Sequence, residues 1–291
     1  MFVFKAAVVG AGTMGGEIAQ VIAAAEVPVV LKDVDQQFVD QGLEKAREVT
    51  EGRLNRLVEK ERLTREDADA QRDGVIDRIH GTTEYDGFGD VDFVIEAVPE
   101  RMEVKQAVFA DLDAVTPGHA VLASNTSSLS ISEMGNATSR PDKVVGFHFF
   151  YPASMMRLLE VIEGDETSEE TMQAAVNFAQ TIRKMPIRCG EAPGFVGNRI
   201  AMSAISEIWR AQEEGDSSVE EVDKLVQESG ALPMGPFFLT DMLGLDTVLH
   251  VAEQLRESHG DRFYIHGGMR ELVESGDLGH KTGKGFYEHG G

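Results

Sequence analysis

A single cysteine, Cys189, occurs in 291 residues, which excludes an internal disulfide framework and a zinc site built from several cysteines. It follows Ile187 and Arg188 at an apolar strand end and reads as a small half-buried hydrophobe. No uninterrupted apolar run approaches the ~18 residues that a membrane span needs. The opening "MFVFKAAVVGAG" becomes a strand and a glycine turn rather than a signal peptide, so the expected location is cytoplasmic, with no membrane partner. Basic residues are scarce: 27 Lys and Arg, only 10 of them lysine, stand against 50 Asp and Glu, for a formal net charge of −23. Binding to a phosphate backbone rests on a basic surface, so nucleic acid is disfavoured as a main partner. The acids form no single tail; they recur in "EYDGFGDVD", "EGDETSEE" and "EEGDSSVEEVD". Distributed acidity with little lysine is the composition expected of a halophilic source, where salt screens self-repulsion. Internal repeats and low-complexity linkers are also missing.

What is present is ordinary globular material, 42% hydrophobic and 26% charged, in a chain longer than one core usually serves. Two domains are therefore expected. Through about residue 185, apolar β-branched runs alternate with helical patterns: "FKAAVVGAG", a helix over 15–26, "VPVVLKD", a long charged helical stretch over 36–61, "DVDFVIEAV", a helix over 101–115, "AVLASNT" and "KVVGFHFF". Continuous apolar strands alternating with helices predict an α/β fold of Rossmann type, a mainly parallel sheet covered on both faces. After "MPIRCG" the pattern is almost wholly helical, in three stretches that each end at glycine. The expected division is a nucleotide-binding domain over 1–187 and an all-helical domain over 188–291.

"VVGAGTMGGEIAQVIAAAEVPVVLKD" places Gly10, Gly12 and Gly15 in a G-x-G-x-x-G arrangement between a strand and a helix. Two of the glycines let backbone amides approach a pyrophosphate, the third permits tight helix–strand packing, and the helix N-terminus favours the anion. The next strand ends at Asp33, about 20 residues on, where a carboxylate can accept bonds from the adenosine ribose hydroxyls. Asp33 would repel a ribose phosphate, which favours NAD over NADP, although Lys32 stands beside it.

Two titratable groups sit in apolar runs: His148 in "GFHFFYP" and Glu160 in "RLLEVI". A histidine in such a setting is more often a satisfied core residue than a catalyst. The Ser/Thr cluster of "ASNTSSLSI" closes another strand, where ligands bind in an open α/β sheet, yet such clusters commonly only cap the next helix. Asn198, in "APGFVGNRI", belongs equally well to a helix-start network.

The segments "GAGTMGGEIAQ", "EAVPERMEVK", "ASNTSSLSI", "GFHFFYP", "LLEVI", "PGFVGNRI", "LPMGPFFLTDMLGLD" and "KTGKGFY" follow the order and approximate spacing of the L-3-hydroxyacyl-CoA dehydrogenases. The chain resembles that family over nearly its whole length. The resemblance implies NAD-dependent, reversible oxidation of an L-3-hydroxyacyl-CoA thioester to the 3-oxoacyl thioester. It makes His148 the general base, Glu160 its partner, and Ser127 and Asn198 polar contacts to the reacting oxygen and its neighbours. It also implies cofactor contacts from Glu100, Lys105 and Lys281, and a homodimer formed through the helical domain, where apolar residues cluster in "MGPFFLTDMLGLDTVLHVA" and around Trp209. Arg53 and Arg56 are available to coenzyme A phosphates. One position departs: Tyr151 stands where the family commonly has the Asn of H-F-F-N-P, removing an amide expected near the cofactor. Two alternatives remain, a gulonate dehydrogenase resembling lambda-crystallin that acts on a free acid, and an NAD-binding protein without turnover.

Overall fold

The computed structural model describes residues 2–290. Among these, no helix is long and apolar enough to cross a membrane. The chain divides into two compact units, Met1–Ala192 and Pro193–Gly291.

In the first unit, strands β1 (Ala6–Val9), β2 (Val29–Lys32), β3 (Ile79–Thr82), β4 (Phe93–Glu96), β5 (Val121–Ser124), β6 (Val144–Phe149), β7 (Leu158–Glu163) and β8 (Met185–Gly190) form one sheet in the order β3-β2-β1-β4-β5-β6-β7-β8. The position near 187 read as the domain division falls inside β8. Strands β1, β2, β4, β5 and β6 are buried at every residue, because helices cover both faces of the sheet. Those helices are α1 (Thr13–Ala24), α2 (Gln36–Glu59), α3 (Arg65–Ile76), α4 (Met102–Val115), α5 (Ile131–Gly135) and α6 (Glu169–Thr181). Strand order reverses at β1, between β2 and β4, which opens a crevice beyond the carboxyl ends of these strands. All pairings are parallel except β6 with β7, which run antiparallel.

Side-chain caps start four of these six helices. Asp35 accepts from the Gln37 N–H, Thr64 from Asp67, Ser130 from Glu133 and Ser168 from Thr171. α1 and α4 lack such a cap, and Gly12 precedes α1.

The second unit is helical: α7 (Gly197–Glu214), α8 (Val219–Glu228), α9 (Pro236–Leu243), α10 (Leu245–His259) and α11 (Gly267–Ser275). Its own core takes up Trp209, Phe237, Leu245, Phe263 and Met269, so much of the apolarity noted in the sequence is absorbed internally. Ile200, Leu225, Met242 and Leu243 remain exposed. The last residues are held by two buried carboxylates. Asp241 accepts from the N–H groups of Phe286 and Tyr287, and Asp223 accepts from the Tyr287 hydroxyl and the first N–H groups of α9.

Candidate active site

The glycine turn after β1 is shaped by close approach. Gly10 has φ of +100°, and a Cβ there would lie 2.5 Å from the Ala97 carbonyl oxygen; one at Gly15 would lie 1.7 Å from the carbonyl oxygen of Gly10. A Cβ at Gly12 would instead point into open space. Two positions are thus closed by backbone, while the third faces a cradle beside uncapped helix N–H groups, the donor set an anionic pyrophosphate requires. Asp33 follows β2, with one oxygen 2.6 Å from the Ala11 N–H and the other 2.7 Å from the Val34 N–H. These bonds hold the carboxylate at the glycine turn. The neighbouring Lys32 is buried and directs its ammonium over the Tyr85 ring, 4.5 Å from the centroid. The residues present fit a dinucleotide with an unphosphorylated adenosine ribose.

The next two strand ends carry a buried polar network. Glu96 ends β4 with no exposed surface, and Lys105, one turn into α4, is 1% exposed. The Lys105 ammonium lies 2.8 and 3.0 Å from the Glu96 oxygens and 3.1 Å from Glu100. Ser124 donates to Glu96 at 2.6 Å, and the Val98 N–H does so at 2.7 Å. Glu100 in turn accepts from Thr126 at 2.5 Å and from the Ser127 N–H at 2.9 Å. Burial raises the Glu100 carboxyl, but the Lys105 charge and the Thr126 and Ser127 donors outweigh it, so the net shift is downward. Lys105, for which the family resemblance implies a cofactor contact, is therefore buried between two carboxylates. Within the Ser/Thr cluster the tasks divide: Ser130 caps α5, while Ser127 belongs to the Glu100 network.

His148 and Glu160 face each other across the antiparallel β6–β7 register, with Nδ1 of His148 2.7 Å from Oε2 of Glu160. Glu160 has no exposed surface and His148 is 6% exposed. The Phe150 ring packs on the imidazole at 4.7 Å between centroids. Asn125, at the end of β5, accepts from the Phe149 N–H at 2.9 Å and ties the strand end that carries His148. A carboxylate held against one ring nitrogen selects the tautomer and offsets positive charge arising on the ring.

A cavity of about 500 Å³ lies in the same unit, bounded by α1, α2 and the segment after β6. Its lining includes Lys45, Arg53, Arg56 and Arg157, a concentration of cations in a protein where bases are scarce. Tyr151, the departure noted above, also lines it and is 54% exposed.

The first unit thus brings together Gly10, Gly12, Gly15 and Asp33 at one strand end, and Glu100, Lys105 and Ser127 in one network. Asn198 and Lys281 belong to the second unit. Asn198 is half-buried on the first turn of α7, and Lys281 donates to Asp246. Five further residues, Glu96, Asn125, Glu17, Lys45 and Lys184, have no role assigned by a sequence motif. Glu96 has a signal, a carboxylate ending an otherwise apolar strand; nothing local marks the others.

Two family models divide the chain between them. The NAD binding domain of 3-hydroxyacyl-CoA dehydrogenase matches residues 5–192, and the C-terminal domain of 3-hydroxyacyl-CoA dehydrogenase matches residues 194–289. A probable 3-hydroxybutyryl-CoA dehydrogenase of Deinococcus radiodurans is 40% identical over 98% of this chain and 100% of its own length. The fatty acid oxidation complex subunit alpha of a Psychrobacter species is 38% identical over 98% of this chain, which spans only 38% of that longer protein. The crystal structure of (S)-3-hydroxybutyryl-CoA dehydrogenase from Ralstonia eutropha superposes with a TM-score of 0.90 at 37% identity, covering 100% of both chains. With both domains matched and full-length relatives at this identity, the chain belongs to the 3-hydroxyacyl-CoA dehydrogenase family.

Proposed function

We propose that the protein oxidises short L-3-hydroxyacyl-CoA thioesters reversibly, with His148 as the general base. The observation that carries this is the buried His148–Glu160 pair. The amides around Gly10, Gly12 and Gly15 would hold the NAD pyrophosphate, and Asp33 the adenosine ribose. Bound NAD supplies the acceptor for the hydride leaving carbon 3. His148 takes the proton of the 3-hydroxyl on Nε2, so the carbon–oxygen bond becomes a carbonyl as proton and hydride depart. Glu160, on Nδ1, stabilises the imidazolium formed in that step. The family resemblance assigns Ser127 and Asn198 polar contacts to the substrate, the kind of dipoles that stabilise charge developing on a reacting oxygen. Glu100 and Lys105 act on the cofactor side through the network that fixes Ser127, and the family resemblance assigns Lys281 a further cofactor role. Lys45, Arg53, Arg56 and Arg157 give the cavity the charge that coenzyme A phosphates need.

Rates of NADH formation with 3-hydroxybutyryl-CoA, longer 3-hydroxyacyl-CoAs, free 3-hydroxybutyrate and gulonate test this reading. Turnover confined to the thioesters supports it. Turnover of the free acids alone transfers the chain to the lambda-crystallin-like dehydrogenases, and NADH binding without any turnover makes it a non-catalytic NAD protein. The exposed Ile200, Leu225, Met242 and Leu243 of the helical unit favour a homodimer, and the charge of −23 favours a halophilic source.

A further inference from the structure

Two buried charged groups of the first unit take no part in the scheme above, and both grip the same short segment. Residues 151–157 lie in the connection from β6, which carries His148, to β7, which carries Glu160. Apolar packing does little to hold them: Ala153 is buried, but Tyr151, Met155 and Met156 are exposed. Polar bonds replace it. The Lys184 ammonium donates to the carbonyl of Ala153 and, at 2.7 Å, to that of Met156. From α1, Glu17, only 2% exposed, accepts from the Ser154 N–H at 3.1 Å and from its hydroxyl at 3.3 Å. An ammonium holds the carbonyls and a carboxylate holds the N–H and hydroxyl of one turn, and both groups line the cation-bearing cavity. Burying either charge alone is unfavourable: Glu17 is offset by Lys45 at 3.9 Å and by the Ser154 donors, and Lys184 by the two carbonyls and the Glu17 charge.

We propose that Glu17 and Lys184 are positioning residues for acyl-CoA binding, clamping residues 151–157 into the cavity wall that presents Arg157 to the anionic coenzyme A. This rests on the reading of that cavity as the coenzyme A site.

The clamp has a built-in pH dependence. Burial pushes the Lys184 ammonium down to about 8, with the Glu17 charge opposing the shift. Sharing the cavity wall with it are Glu17 from α1, Lys45, Glu48, Arg53 and Arg56 from α2, and Tyr151, Arg157 and Arg183. Below about pH 8 the ammonium makes charge-assisted bonds to both carbonyls. Above it the amine is neutral; such bonds are roughly half as strong, and the cavity loses a cation facing an anionic ligand. Acyl-CoA affinity therefore falls as pH rises through this range. Fold stability moves the other way. A lysine whose folded value lies below its ordinary 10.5 makes the unfolded chain the better proton binder between the two values, so stability rises with pH there.

The test measures KM for 3-hydroxybutyryl-CoA, kcat and the NADH dissociation constant from pH 7 to 9.5 in the parent, Lys184→Met and Glu17→Gln chains. In the parent, KM should rise about tenfold across the range, as charge-assisted bonds become neutral ones. Lys184→Met should begin with the raised KM and stay flat, while kcat and NADH affinity hold within about twofold, the pattern of lost ground-state binding. Glu17→Gln keeps an acceptor oxygen, so its KM at pH 7 should rise less than that of Lys184→Met. A flat parent profile, or the same rise in Lys184→Met as in the parent, overturns the clamp. So does a joint collapse of KM, kcat and NADH affinity in both variants, which would mark Glu17 and Lys184 as general fold supports. If the parent turns over no 3-hydroxyacyl-CoA at any pH, the functional reading itself fails, and the inference with it.

Discussion

His148 and Glu160 sit on neighbouring antiparallel strands whose ladder sets their separation, while residues 151–157 between those strands are held mainly by two side chains reaching in from elsewhere. The His148–Glu160 pair has a whole sheet behind it. The joining segment has an ammonium and a carboxylate. Groups on a ladder stay in place when a partner changes polarity, because backbone bonds and core packing define their positions. A segment held by buried charges responds to the loss of either one, so recognition can be tuned by pH without moving the chemistry.

The sharpest way to break this contrast is at the ladder itself. His148→Gln should lower kcat by about 10² to 10⁴, the usual cost of losing a positioned base, with NADH affinity nearly intact. Stopped-turnover rates and a fluorescence titration would check both halves; parent-like kcat would end the assignment. Glu160→Gln should cost less, since an amide can still orient the ring but cannot offset imidazolium charge.

The buried network beside the cofactor crevice predicts a stability effect. Glu96→Ala leaves the Lys105 ammonium with a single carboxylate, and breaking a buried ion pair in this way costs about 3 kcal/mol or more. Thermal or urea unfolding would read the loss. A neutral result would show that Glu100 alone satisfies Lys105.

Asp33→Ala should narrow the preference for NAD over NADP by about tenfold, through a lost ribose bond worth about 1 kcal/mol and a removed repulsion. Equal discrimination in parent and variant would move the choice to another residue. The mildest effect concerns salt. Two chains of charge −23 repel on approach, and screening shortens that repulsion from ~10 Å at 0.1 M salt to ~3 Å at 1 M. Dimer formation and activity should therefore strengthen toward molar salt. Light scattering alongside rate measurements would show it: a monomer at every concentration removes the dimer, and activity highest in dilute buffer removes the halophilic reading.

Features with a local physical requirement were legible in the chain. The G-x-G-x-x-G turn, the carboxylate at Asp33 and the continuous apolar strands each follow from what nearby backbone must do, and they determine the sheet and its nucleotide crevice. Of the elements the sequence pattern does not mark, two are hidden for the complementary reason. β3 reads "IHGT" with His80 exposed, too short and mixed to register as a strand. α3 buries only Ala68 and Val75, too thin a stripe to register as a separate helix.

His148 and Glu160 were visible as titratable residues in apolar runs, but the sequence by itself left their relation open, and the family resemblance supplied the pairing as an expectation. The antiparallel register decides it, by setting residues twelve apart in the chain directly opposite each other. The same holds for Glu96 with Lys105, and for Glu17 and Lys184 on one loop. Composition and periodicity carry information about burial and backbone, whereas the partner of a buried charge is whatever group the packed chain brings within reach, and only the tertiary structure decides that.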